Sequence, residues 1–215
     1  MIGMCLKLTD NRNCREYIRG LVFRKLRQYL HITNAAEITR RYLVMNGFDG
    51  ALTTLGIVMA FYVSGRFEPA IVLSAGFGAT FAMAISGASG AFLTERAERT
   101  RSIKEMERAI YADLGNSIVG RASRATVILV AFVDAVAPLL AGLLVLSPFV
   151  LSLWQVLEVN MAFLASIVLD LGFLFFLGIL LGRSAKANML VYGFMMVSVG
   201  FLVALIFIFF RISVI

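Results

Sequence analysis

The sequence has few of the residues that build disulfide scaffolds or common enzyme sites. It contains two cysteines, Cys5 and Cys14, one histidine and three prolines. Two cysteines are too few for a disulfide framework, and a single histidine excludes the HExxH zinc motif. The chain also has no G-x-S-x-G, no P-loop and no G-x-G-x-x-G. We therefore expect that it is not an enzyme.

Charged residues are scarce as well. They make up 15% of the 215 residues, while apolar residues make up 60%, and the mean hydropathy is +0.88. A soluble domain averages about a quarter charged and about half apolar residues. This composition excludes a soluble globule and a disordered chain, and it indicates an integral membrane protein embedded in the lipid bilayer.

Five apolar stretches are long enough to cross a bilayer as helices, at about 20 residues per span. They run from about 42–64, 70–93, 125–146, 153–182 and 189–210. Gly65 to Pro69 form a short turn, and Ser147-Pro148 is expected to end the third span. The sequence predicts an all-α membrane protein with five transmembrane helices.

The polar segments divide the chain further. Residues 14–30 alternate basic and apolar side chains at helical spacing, which is typical of an amphipathic helix on a membrane surface. The stretch between spans two and three is charged, has no proline, and predicts one extended helix. The predicted organisation has an N-terminal segment at 1–40, spans one and two at 41–93, the charged helix at 94–124, and spans three to five at 125–215.

The net charge of +7 comes from 20 basic and 13 acidic residues. If the N-terminus lies in the cytosol, residues 1–41, 94–124 and 183–186 lie there too, and they hold 18 of the 20 Lys and Arg. The positive-inside rule therefore predicts a cytosolic N-terminus and an external C-terminus. The basic residues are explained by the membrane, so no nucleic-acid partner is expected.

Three carboxylates lie within the apolar spans, namely Asp49, Asp134 and Asp170. At about 1.5 Å per residue, they lie roughly 12, 15 and 20 Å from the nearest cytosolic arginine. A charged group at this depth is costly and marks a functional candidate. No Lys or Arg inside the spans can neutralise them, so a proton or a bound cation must. For Asp134 and Asp170, a purely structural bridge between helices remains equally open.

Asp49 has potential ligands on its own helix. Met45 and Asn46 precede it by about one turn, and Thr53 follows it by one turn. A carboxylate, an amide and a thioether form a mixed set that suits a borderline divalent ion such as Fe²⁺ better than Mg²⁺ or Ca²⁺. Met45 is either a ligand or ordinary packing.

Acidic residues also mark the charged helix. If that helix is continuous, four acids share one stripe and Glu107 points away from it. Such a stripe can recruit cations, or it can be an ordinary solvated face with i,i+4 ion pairs. The four are Glu95, Glu98, Glu105 and Asp113.

Residues 46–58, N-G-F-D-G-A-L-T-T-L-G-I-V, resemble the first-span signature of the vacuolar iron transporter family, G-x-x-D-G-L-x-T-x-x-G-x-V. The pattern A-F-x-x-A-x-x-P-L-L at Ala131–Leu140 and the small-residue second span are also similar to that family. The resemblance implies a five-span homodimer that moves Fe²⁺ or Mn²⁺ out of the cytosol in exchange for protons. The metal is a transported substrate rather than a resident cofactor. The implied pathway follows the dimer interface, and its key aspartate matches Asp49.

The second span departs from the family pattern. Where the family has S-M-A-A-G-E-Y, this chain has S-G-A-S-G-A-F, so the methionine falls on Gly87 and the glutamate on Ala91. Met83, one turn earlier, can take the place of the methionine. The family's metal-collecting domain is reduced here to the charged helix.

The expected function is export of a divalent transition metal ion by proton antiport. The alternatives are a transporter of the same fold for another solute, with the metal site lost, and a membrane scaffold whose aspartates only bridge helices. The expected location is the plasma membrane in a prokaryote, or a vacuole-type membrane in a eukaryote.

Overall fold

The computed structural model describes residues 35–115 and 117–214, and within these residues every regular element is an α-helix. The predicted surface helix at 14–30 and both cysteines lie outside the described residues. Five helices are long and apolar enough to cross a membrane, which is the pattern of a multi-pass integral membrane protein. They are α1 (Ala35–Val63), α2 (Pro69–Ile110), α3 (Ile118–Leu153), α4 (Val159–Ser184) and α5 (Met189–Val214).

The turns between the helices follow local sequence chemistry. Gly65 adopts a positive φ of 68°, and Pro69 then occupies the first turn of α2. At the start of α3, the Ser117 hydroxyl accepts a hydrogen bond from the backbone N–H of Gly120, as expected of an N-cap residue. The predicted turn before α2 is therefore confirmed.

The end predicted for the third span is wrong. Helix α3 continues through Pro148 to Leu153. Proline removes the hydrogen bond to the carbonyl four residues earlier, which here belongs to Leu144. The hydroxyl of Ser147 donates to that carbonyl at 2.7 Å, so the freed acceptor is satisfied by a side chain, as occurs in membrane helices.

Helix α3 lies at the centre of the bundle, with its main contacts to α2, α1 and α4, whereas α5 packs mainly on α4 and α1. At one end the core consists of aromatic and aliphatic side chains. The rings of Phe149 and Phe163 pack edge to face there, with their centroids 4.8 Å apart. Nearer the middle of α3, a smaller cluster of Ala51, Ala141 and Leu174 joins α1, α3 and α4. One face of α3 therefore packs between α1 and α2.

Close packing depends on glycine at several crossings. A Cβ on Gly50 would lie 2.7 Å from the Cα of Pro138, and one on Gly178 would lie 2.5 Å from the Cα of Gly193. Small residues allow helices to approach each other in lipid, where hydrophobic burial contributes little. The close approach of α1 to α3 and of α4 to α5 therefore requires glycine at these positions.

Substituting Gly178 with valine should force α5 away from α4, because its Cβ meets backbone atoms that cannot rotate aside. We expect a loss of about 1–3 kcal/mol in stability, measured as a lower thermal unfolding midpoint in detergent. Gly172→Val is the matched control, since that glycine lies on the same helix with no atom within 4 Å of its Cβ position. Equal midpoints for the two variants would contradict the packing argument.

Candidate functional site

A buried carboxylate lies at the centre of the α1–α2–α3 contact. Asp134 of α3 is only 3% exposed, and its Oδ1 accepts a hydrogen bond from the side-chain amide of Asn46 on α1. The same amide also donates to the backbone carbonyl of Tyr42 at 3.3 Å. Asn46 and Asp134, which are 88 positions apart in sequence, are therefore brought together by the fold.

On helix α2, Gly87 faces this contact and has no side chain to fill it. A Cβ on Gly87 would lie 2.8 Å from Oδ2 of Asp134, which is closer than real Cβ contacts come. A glycine therefore lies directly against the carboxylate of Asp134. The carboxylate is held between the amide of Asn46 on one side and the backbone of α2 on the other.

The backbone carbonyl of Asp134 is a second oxygen at the site, and Pro138 leaves it without a helical donor. Pro138 lies one turn after Asp134 within α3 and has no N–H, so the backbone carbonyl of Asp134 lacks its usual helical donor. That carbonyl oxygen also faces Gly87, at 3.5 Å from the position of a Cβ there. Oxygen atoms of both the side chain and the backbone of Asp134 therefore face α2.

Asp49 lies beside this buried group but is itself exposed. It follows Asn46 by three residues on α1 and interacts electrostatically with Asp134. Met45 is 57% exposed, and Thr53 is half-buried. The structure thus places two predicted carboxylates and the predicted amide in one group, with the predicted thioether on the outer side of α1.

A polar residue that the sequence reasoning missed extends this group toward the charged end of α2. Tyr42, one turn before Asn46, packs on Ala91, Val130 and Ala131, and its hydroxyl interacts with the carboxylate of Glu95. The i, i+4, i+7, i+11 spacing of Tyr42, Asn46, Asp49 and Thr53 was available as a signal, because it places all four on neighbouring faces of α1.

Glu95 forms the i,i+4 ion pair expected of an ordinary solvated face, but it is buried rather than solvated. It is 9% exposed and forms an ion pair with Arg99 at 3.2 Å. Asp113 does not belong to the stripe at all, because α2 ends at Ile110 and Tyr111 turns into the left-handed region. The acidic stripe predicted for a continuous helix therefore does not include Asp113.

The remaining acids of this segment have separate environments. Glu98 is exposed, and Glu105 pairs with Arg101 at 3.0 Å. Glu107 accepts from the N–H of Leu114 at 2.9 Å, and Asp113 accepts from the N–H of Gly115 at 2.8 Å. Two of these carboxylates therefore shape the loop between α2 and α3.

Asp170 is isolated from the group around Asp134. It is fully buried, and neither carboxylate oxygen has a hydrogen-bond partner. One turn before it, Ser166 donates to the carbonyl of Val145 on α3. One turn after it, Leu174 packs on α1 and α3. No hydrogen bond or ion pair connects Asp170 to another described residue, so the structure does not unite the three predicted carboxylates.

The described residues of one chain do not form a complete cation site. Among residues 35–115 and 117–214, no three His, Cys, Asp or Glu side chains are grouped so that they could hold a metal ion. Met83, the predicted substitute for a methionine at 87, is half-buried one turn away on α2. Asp134 and Asp49 supply two carboxylates, and a bound ion needs further ligands.

Comparison with known proteins shows a distant similarity to an uncharacterized archaeal protein. The chain is 26% identical over 186 residues to an uncharacterized protein of Methanocaldococcus jannaschii, and the match covers 85% of this chain and 93% of that protein. No family model matches the sequence. No solved structure matches it.

Proposed function

We propose that this protein exports a divalent transition metal ion, Fe²⁺ or Mn²⁺, from the cytosol in exchange for protons. The observation that carries the proposal is the group of Asp134, Asn46 and Asp49 within the apolar spans of α1 and α3. Two carboxylates in such a setting bind either a proton or a cation, since ionised groups in lipid need a partner. Alternating between those two states is the chemistry of an antiporter.

The exposed side of this group supports a pathway between two copies of the chain. Asp49 and Met45 face outward from α1, and α2 carries a row of small exposed residues. Such rows favour close helix association in membranes. In a homodimer, the second copy would add its own carboxylates, amide and thioether, which completes a ligand set that one chain leaves short. The exposed small residues are Ser74, Gly78, Ala82, Ser86, Ser89 and Gly90.

The donor types support a transition metal. Carboxylate and carbonyl oxygens alone suit Mg²⁺, Ca²⁺ or Mn²⁺, whereas a thioether from Met45 favours softer ions. Glu95 lies one turn after Ala91, where the family pattern has glutamate, and its buried carboxylate interacts with Tyr42. A carboxylate is therefore retained near the entrance of the proposed pathway although the motif residue is lost.

The proposed orientation has the N-terminus in the cytosol and the C-terminus outside. Helix α2 has 42 residues and is roughly 63 Å long at 1.5 Å per residue, about twice the thickness of a hydrocarbon core. Its charged final turns must therefore leave the membrane, and the positive-inside rule places them in the cytosol. The corresponding location is the plasma membrane of a prokaryote or a vacuole-type membrane of a eukaryote.

A transporter of the same fold for another solute is the second candidate. It is favoured by the hydrogen bond that already occupies Asp134 and by the lack of a grouped three-ligand site in the described part of the chain. In that case Asp134 and Asn46 would bind a polar solute or a proton only. A scaffold protein, the third candidate, would give no flux at all.

Flux through the purified protein tests these alternatives. In proteoliposomes with an acidic interior, we expect Mn²⁺ and Fe²⁺ uptake that stops when the pH gradient is collapsed, while Mg²⁺ uptake stays at the level of empty vesicles. Flux that ignores the gradient would contradict antiport. No flux of either ion through folded protein would contradict metal transport and leave the second and third candidates.

A further inference from the structure

A basic cavity lies apart from the Asp134 group, where the charged part of α2 passes the start of α3. Its volume is about 330 Å³. Four cationic side chains line it together with one acidic residue, Glu107. The four are Arg96, Arg99, Lys104 and Arg124.

The nearby carboxylates neutralise only part of this positive charge. Glu95 pairs only with Arg99, and Glu107 accepts a hydrogen bond from the loop N–H of Leu114. Arg96 lies over the ring of Phe92, at 5.9 Å from its centroid. Lys104 and Arg124 are exposed, and among the described residues neither forms an ion pair. The cavity therefore has an excess of positive charge.

The position and walls of the cavity define the kind of anion it suits. Arg124 immediately precedes the apolar run of α3, and Arg96 follows the end of the apolar run of α2 by one turn. We expect lipid headgroups to meet the protein at this level, because the apolar runs end and the basic residues begin there. Ile103 and Val127 form an apolar wall, which a lipid's glycerol backbone can contact while its phosphate meets the arginines.

We infer that this cavity binds an anionic phosphate group, and its apolar wall favours a lipid headgroup as the carrier. Arginine forks match phosphate oxygens in geometry and charge, and basic pockets between membrane helices bind anionic headgroups in this way. The inference is independent of the solute that the protein transports. A bound phosphate would bridge α2 and α3 at their charged ends.

Binding of phosphatidylglycerol to the detergent-solubilised protein, followed by native mass spectrometry, tests the inference. We expect Arg96→Gln combined with Arg124→Gln to weaken this binding by roughly tenfold or more. Arg121→Gln is the matched control, because Arg121 is exposed on the same helix but does not line the cavity. It should bind like the wild type. Lys104→Gln provides a second, single variant in case the double variant does not fold.

Two further measurements identify the carrier. Phosphatidylcholine should bind weakly and without sensitivity to these variants. If inorganic phosphate displaces the lipid or raises the unfolding midpoint in a manner that Arg124→Gln abolishes, the site takes a soluble phosphate. Equal binding of phosphatidylglycerol by the wild type, the cavity variants and Arg121→Gln would overturn the inference, as would a lack of binding of both probes.

Discussion

Replacing Asp49 with alanine is expected to reduce gradient-driven Mn²⁺ flux by about 100-fold or more, since even supporting residues around a metal change its affinity by about 10–100-fold. Asp49 is the exposed carboxylate of the group and can face a second copy of the chain. Removing it deletes a charged ligand and also one of the two groups that can exchange a proton for the ion. The measurement is initial uptake into proteoliposomes of equal protein content.

Two companion variants separate charge from shape. Asp49→Asn keeps the volume and a carbonyl oxygen but removes the charge, so we expect flux close to that of the alanine variant. Glu158→Gln is the control, because Glu158 is an exposed carboxylate just before α4 with no side-chain capping bond. It should transport like the wild type. An alanine variant at Asp49 with normal flux would refute the proposed mechanism.

Adding a methyl group at Gly87 is expected to reduce flux by about 10–100-fold and to lower stability by about 1 kcal/mol. The new Cβ would lie 2.8 Å from Oδ2 of Asp134, so the carboxylate must rotate and its hydrogen bond with Asn46 is lost. One buried hydrogen bond contributes about 1 kcal/mol, which folded protein can tolerate. Uptake rate and unfolding midpoint, measured on the same preparation, distinguish displaced geometry from misfolding.

A double-mutant cycle tests whether Gly87 acts through Asp134. In an Asp134→Ala background the carboxylate is absent, so Gly87→Ala should have almost no further effect on hydrogen bonding or midpoint. Gly90→Ala is the matched control, since Gly90 lies three residues further on α2 with no atom within 4 Å of its Cβ position. Equal effects of Gly87→Ala in both backgrounds would exclude the proposed contact.

The local features of this protein follow from its sequence because each depends on neighbouring residues. Five apolar runs are long enough to span a bilayer, and the described residues contain five such helices. Gly65 and Pro69 locate the turn before α2 in the same way. The predicted end of the third span at Pro148 was wrong, because the hydroxyl of Ser147 compensates for the lost backbone hydrogen bond. Helix ends therefore depend on details that composition does not capture.

The arrangement of the polar residues was decided by tertiary structure. Depth along the spans placed the three aspartates at comparable levels, whereas the angular position of each helix placed Asp134 against Asn46 and left Asp170 without a hydrogen-bond partner. Glu95 is buried where Tyr42 of α1 lies against α2, a contact between residues far apart in sequence. The sequence alone determined which residues are costly in a membrane, because that cost depends on residue type and hydrophobic context. Only packing decided which of these residues meet. Contacts between helices depend on the rotation of each helix about its axis and on how closely the helices approach, and residues far apart in the chain determine both.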